Sequence, residues 1–192
     1  MEILSRKDWV RKFYPAAVQA TKGTGIFPET MLAMAVVESQ GEAKDGNYYP
    51  GLGLTARKAN NYFGIKDSPT WKGETIQLPT SKDAKKVSTF RKYNSVQESI
   101  ADFVKFLQIN PIYTKAGVFA AKDYVEQIVA IARAGYAENP NYRKVITSVA
   151  KTIAEQTKDL RETIEKNSGT ILPILLAGFI IGSFFLYKKY MS

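Results

Sequence analysis

The sequence predicts an α+β fold that is mainly α. Apolar residues recur at helical spacing through most of the chain, but between Trp71 and Phe90 they give way to short alternating runs around the polar stretch SKDAKK. A third observation adds a separate part. Residues 171–187, ILPILLAGFIIGSFFLY, carry no charge and are closed by Lys188 and Lys189.

Taken in order, Ser5 is placed to cap a first helix over about residues 6–21, with Trp9, Phe13, Ala16, Ala17 and Ala20 along one stripe. KGTG breaks it. Phe27 and Pro28 open a second helix and Gly41 falls just past its end, the usual asymmetry of Pro in the first turn and Gly beyond the last. The glycines and tyrosines from Asp45 to Leu54 predict a surface loop. A small β-hairpin is expected between Trp71 and Phe90. Ser95 and Glu98 then form a capping box for a helix whose buried stripe is Ile100, Phe103, Val104 and Leu107.

Two further helices are expected at about 121–134 and 140–166. The second half of the latter, KTIAEQTKDLRETIEK, reads as a solvated stalk carrying the pairs Lys158 with Glu162 and Arg161 with Glu165. Gln156 and Thr163 stand where a coiled coil would need apolar residues. At ~1.5 Å per residue, a helix over 171–187 would reach about 26 Å, near the lower limit for crossing a bilayer. Apolar residues cover every face of it, which predicts a C-terminal membrane anchor. Gly178 and Gly182 form a GxxxG pair through which two copies could associate. The N-terminal MEILSRKDWV has no apolar core of signal-peptide length, so a cleaved secretion signal is not expected.

Composition limits the chemistry. There is no Cys and no His, which removes Ser-His-Asp triads, Cys-His nucleophiles, the common zinc sites and a disulfide framework. Catalysis would have to rest on carboxylates, Tyr, Lys, Ser or Thr. The 27 Lys and Arg against 18 Asp and Glu give a net charge of +9 and point to an anionic partner: nucleic acid, acidic lipid or an acidic wall polymer.

One carboxylate stands apart. In MLAMAVVESQGE an apolar helix runs straight into Glu38. Either the side chain emerges into solvent at the helix end, or it is held where desolvation and the negative end of the helix dipole both raise its pKa. In the second case it is suited to protonate the leaving oxygen of a glycoside.

Three further stretches bear on that choice by resemblance. ANNYFGIK (59–66), FRKYNSVQESIADFVKFL (90–107) and AGYAENPNYRKVI (134–146), in this order with Glu38 before them, resemble the glucosaminidase family of bacterial cell-wall hydrolases, glycoside hydrolase family 73. The resemblance implies a lysozyme-like domain over 1–146, with a small β-hairpin lobe beside a glycan groove, then the stalk over 147–168 and the anchor and basic tail over 169–192. It makes Glu38 the match to the family's general acid and Tyr136 a supporting residue close to it. Asn61, Phe63 and Gly64 match a turn at the groove and, with Tyr93, are the expected substrate contacts. Arg91 matches a position whose role is architectural.

The hairpin departs from the family pattern. A Thr-x-Glu acid often precedes the FRxY segment in the family, whereas Ser81 and Lys82 follow Thr80 here. Glu74 and Asp83 are the nearest replacements for a second carboxylate. If neither reaches the groove, the substrate's acetamido group could assist, or a 1,6-anhydro product could form as in lytic transglycosylases.

The expected function is therefore cleavage of β-1,4 bonds in peptidoglycan, of the endo-N-acetylglucosaminidase type. The alternatives are a transglycosylase or muramidase on the same polymer, or an inactive glycan-binding or structural virion protein. No metal or organic cofactor is implied, and the positive charge is directed at wall polymers rather than nucleic acid. The anchor suggests a phage virion membrane or a bacterial envelope as the location, with the domain opening the host wall locally.

Overall fold

Ser5 begins the first element as expected: its hydroxyl accepts from the Asp8 amide at 3.1 Å and starts α1 (Arg6–Thr21). The chain is seen here in a computed structural model that describes residues 3–80, 86–136 and 141–167. The buried face of α1 is Trp9, Val10, Tyr14, Ala17 and Thr21, a stripe turned by about one residue from the expected Phe13, Ala16 and Ala20. Burying Tyr14 lets its hydroxyl donate to the buried Glu29 carboxylate at 3.3 Å, and Phe13 is left on the flank against Trp9.

α2 (Pro28–Ser39) has Pro at its start and Glu29 in its first turn, where the helix dipole favours an anion. Residues 31–36 are buried on every side, which a helix without a polar face requires. Beyond it, β1 (Gly41–Glu42) and β2 (Tyr48–Tyr49) form a short antiparallel pair within the segment expected to be loop. Gly41 is needed there because a Cβ would come within 2.5 Å of the Leu52 carbonyl carbon. After α3 (Leu54–Ala59), β3 (Thr75–Pro79) and β4 (Val87–Arg91) form the expected hairpin, with Thr75 opposite Arg91 and Pro79 opposite Val87. Residues 81–85, and so Asp83, lie outside the described residues.

α4 (Val96–Ile109) is capped by Ser95, whose hydroxyl accepts from the Glu98 amide at 3.1 Å. The Glu98 carboxylate reaches back to the Asn94 amide, one residue further than a capping box uses. All four residues of the expected stripe are buried. The short α5 (Pro111–Lys115) and a 3-10 turn at Val118–Ala120 were not foreseen, being too brief to show a period. Asp123 caps α6 (Tyr124–Arg133), and α7 (Tyr142–Gln156) follows.

α2 is the centre of this unit, packed against α1, α6 and α7. Its entry is pinned by the fully buried Gln127, whose amide donates to the carbonyls of Gly25 (2.8 Å) and Val118 (2.9 Å) and accepts from the Phe27 amide (2.9 Å). Its exit is held by Ser39, whose hydroxyl accepts from the Gly51 amide at 3.0 Å and whose carbonyl accepts from the Gly53 amide at 2.7 Å.

The first compact unit runs to Gln156 and a second comprises Thr157–Ser192. Ile146, Val149, Ala150 and Ile153 of α7 are all buried, so residues 147–156 belong to the first unit and not to a solvated stalk. The single helix expected over 140–166 is two, broken at Thr157; α8 (Lys158–Lys166) buries no residue. Among the described residues no helix is long and apolar enough to cross a membrane. The expected anchor at 171–187, with Gly178 and Gly182, lies outside them.

Candidate active site

Glu38 sits in the last turn of α2, half-buried, on a cleft of about 590 Å³. The cleft floor is aromatic. Phe63 and Phe103 stack at 4.1 Å with an interplanar angle of 8°, and Phe106 lies beside Phe103. The loop from Gly64 to Ser68, Arg91, Tyr136 and Tyr142 complete its lining. A volume of this size falls within the range of small-ligand sites; Phe63 and Phe103 are buried, so the half-buried rings of Phe106, Tyr136 and Tyr142 are the aromatic surface open to a ligand.

Burial raises the pKa of Glu38, and a hydrogen bond from the Tyr142 hydroxyl, 2.7 Å from Oε1, opposes that rise by stabilising the anion. Desolvation is the larger effect, so the helix end holds an acid that keeps its proton to higher pH than a solvated glutamate. Burial and the nearby Glu38 charge raise both tyrosines, and Tyr142 is raised so far that it remains a donor throughout the working pH range.

The expected residues divide sharply. Glu38, Phe63, Gly64 and Tyr136 meet at the cleft. Tyr136 is not hydrogen-bonded to Glu38; it stands edge-on to Phe103 at 5.7 Å and against Tyr142 at 5.9 Å, shaping the wall. Gly64 has φ +64° with open space around it, so conformation and not crowding calls for glycine.

Asn61 and Tyr93 need correction as substrate contacts. Asn61 is fully buried, its amide donating to the carbonyls of Ile65 and Arg91 while its oxygen accepts from the Ile65 amide; it braces the turn that presents Phe63. Tyr93 is buried and donates to Asp102 at 2.7 Å. It belongs with Arg91, which pairs with Asp102 at 2.8 Å, in a structural network. Glu74 is also corrected: it is exposed, held 2.7 Å from Lys92 and absent from the cleft lining. Tyr142 and Asp67 were missed. Tyr142 lies inside the matched AGYAENPNYRKVI stretch, but nothing in its spacing shows that the first turn of α7 faces the end of α2.

A half-buried carboxyl group with a raised pKa lines an aromatic cleft on a mainly helical α+β scaffold, an arrangement suited to glycoside chemistry. The chain belongs to the glucosaminidase family, whose model, described as mannosyl-glycoprotein endo-beta-N-acetylglucosaminidase, matches residues 14–155. It is 31% identical over 169 residues to the peptidoglycan hydrolase FlgJ of Salmonella typhimurium, covering 84% of this chain and 50% of that protein. To the exo-glucosaminidase LytG of Bacillus subtilis it is 28% identical over 134 residues, covering 66% of this chain and 44% of LytG. The chain therefore spans about half the length of these relatives. Among solved structures, the glycoside hydrolase domain of Salmonella typhimurium FlgJ superposes with a TM-score of 0.63 at 30% identity, covering 85% of this chain and 98% of that domain.

Proposed function

We propose that the chain is a peptidoglycan hydrolase of the endo-N-acetylglucosaminidase type with Glu38 as its general acid. The observation that carries this is the geometry at Glu38: a carboxyl group with a raised pKa, steered by the Tyr142 hydroxyl, opening on a cleft with an aromatic floor. Sugar rings lie against the half-buried rings of Phe106, Tyr136 and Tyr142, with buried Phe63 and Phe103 beneath as support, which places a glycosidic oxygen beside the Glu38 proton. As the C1–O bond breaks, Glu38 passes its proton to the leaving oxygen and becomes an anion, which the Tyr142 donor then stabilises. FlgJ and LytG, by their names, act on peptidoglycan and as a glucosaminidase, which favours a wall glycan as substrate.

The test is digestion of purified peptidoglycan by the full chain in detergent, wild type beside Glu38→Gln, with released fragments reduced and identified by mass spectrometry. Fragments ending in reducible N-acetylglucosamine from wild type alone are the expected result. Reducible N-acetylmuramic ends would instead indicate a muramidase, and anhydro-muramic ends a transglycosylase.

The remaining parts of the proposal concern place. The uncharged run 171–187 anchors the enzyme in a bilayer, with the catalytic domain joined to it through α8. The carrier is a phage virion membrane, from which the domain opens the host wall locally. Recovery of the protein in purified particles and its loss on detergent stripping are expected; absence from particles would refute this location.

A further inference from the structure

Two carboxylates among the described residues line the cleft: Glu38 and Asp67. The other acids near the hairpin have different partners. Glu74 is held by Lys92 away from the cleft, and Asp102 is committed to Arg91 and Tyr93. Asp67 lines the same cleft as Glu38 and Tyr142, on the loop that leaves the FGIK turn, and its side chain is exposed.

That loop is held from both ends and from behind. The Asp67 amide donates to the Thr89 carbonyl of β4 at 2.9 Å. Arg91 donates from Nε to the Lys66 carbonyl at 3.3 Å and from Nη2 to the Ser68 hydroxyl at 3.0 Å, gripping the residues on either side of Asp67. The guanidinium is itself fixed by Asp102 and lies 4.8 Å from the centre of the Trp71 ring. Within the carboxylate, Oδ1 accepts from the Ser68 amide at 2.7 Å, which sets its orientation, while Oδ2 has no hydrogen-bond partner among the described residues. An oriented carboxylate with one free oxygen, on a braced loop that lines the same cleft as Glu38, is what activation of a water molecule requires.

We propose, resting on the glycosidase function above, that Asp67 is the general base that replaces the glutamate missing from the hairpin. Glu38 gives its proton to the glycosidic oxygen as the C1–O bond breaks. A water held at Asp67 Oδ2 attacks C1 from the opposite face and loses a proton to Asp67. The product is a reducing end of inverted configuration; Asp67 then releases its proton to solvent and Glu38 takes one up. An inverting pair needs room for that water, about 6.5 to 9.5 Å between carboxyl groups.

The experiment compares wild type, Glu38→Gln, Asp67→Asn, Asp67→Ala and Asp83→Asn, as full chains in detergent, on soluble glycan strands, with thermal melting of each. Asp67→Asn is expected to lower kcat by about 100-fold or more, with KM and melting little changed. Azide is expected to restore turnover of Asp67→Ala and to yield an α-glycosyl azide from the β-linked strand. Wild-type kcat in Asp67→Asn, with Glu38→Gln inactive, would overturn the inference and leave the glycosidase function standing. So would a change confined to KM, a loss seen only in Asp83→Asn, or anhydro ends from wild type. An inactive wild type would overturn both.

Discussion

Replacing Tyr142 with Phe removes one oxygen and leaves the ring against Tyr136, so it isolates the hydrogen bond to Glu38. That bond, at 2.7 Å, is short and charge-assisted when Glu38 is ionised. A hydrogen bond to a charged group is worth about 1.5–3 kcal/mol, and the half-buried setting favours the lower end. Since about 1.4 kcal/mol corresponds to a tenfold change in a protonation equilibrium, the alkaline limb of kcat/KM should move upward by about one pH unit. The sign follows from which form loses its partner: the anion is destabilised, so Glu38 holds its proton to higher pH. The maximal rate should fall at the same time, because the anion formed at the transition state is no longer stabilised. The assay is kcat/KM on soluble glycan strands from pH 4 to 9 for both proteins. An alkaline limb that stays in place or moves to lower pH would refute the assignment of Tyr142 as the donor to the catalytic acid.

Glu38→Gln should abolish turnover yet stabilise the fold at neutral and alkaline pH. Its folded pKa is raised, so wild-type stability is complete below the unfolded value and declines as pH rises through the folded one; the melting difference should vanish in acid and grow with pH. Gln127→Ala strands the Phe27 amide and the carbonyls of Gly25 and Val118, lowering stability by about 2–4 kcal/mol in chemical denaturation. Arg91→Met leaves Asp102 without its cation and frees the loop around Asp67. A loss of about 3 kcal/mol together with reduced turnover is expected, and Arg91→Lys should recover only part of either because an ammonium cannot reproduce the fork.

The fold was legible in the sequence where local rules suffice. Ser5 and Ser95 cap the helices they were expected to cap, Pro28 opens α2, and the stripe from Ile100 to Leu107 is the buried face of α4. These depend on neighbours within a turn or two, so spacing and residue type carry them. The buried face of α1 was less legible, because which neighbour a helix meets decides whether Phe13 or Tyr14 turns inward.

At the site the division is sharper. The apolar run of α2 ending in a carboxylate singled out Glu38, and the order of its motifs placed the chain near a family of wall hydrolases. Only tertiary structure could show that Asn61 and Tyr93 spend their polar atoms on the scaffold, that Glu74 faces Lys92, and that Tyr142 and Asp67 flank the cleft. Local sequence determines where the long helices begin and that an apolar one ends on Glu38. The partners of that carboxylate come from residues far along the chain, brought together when α7 and the 66–68 loop pack, and no periodicity records that meeting.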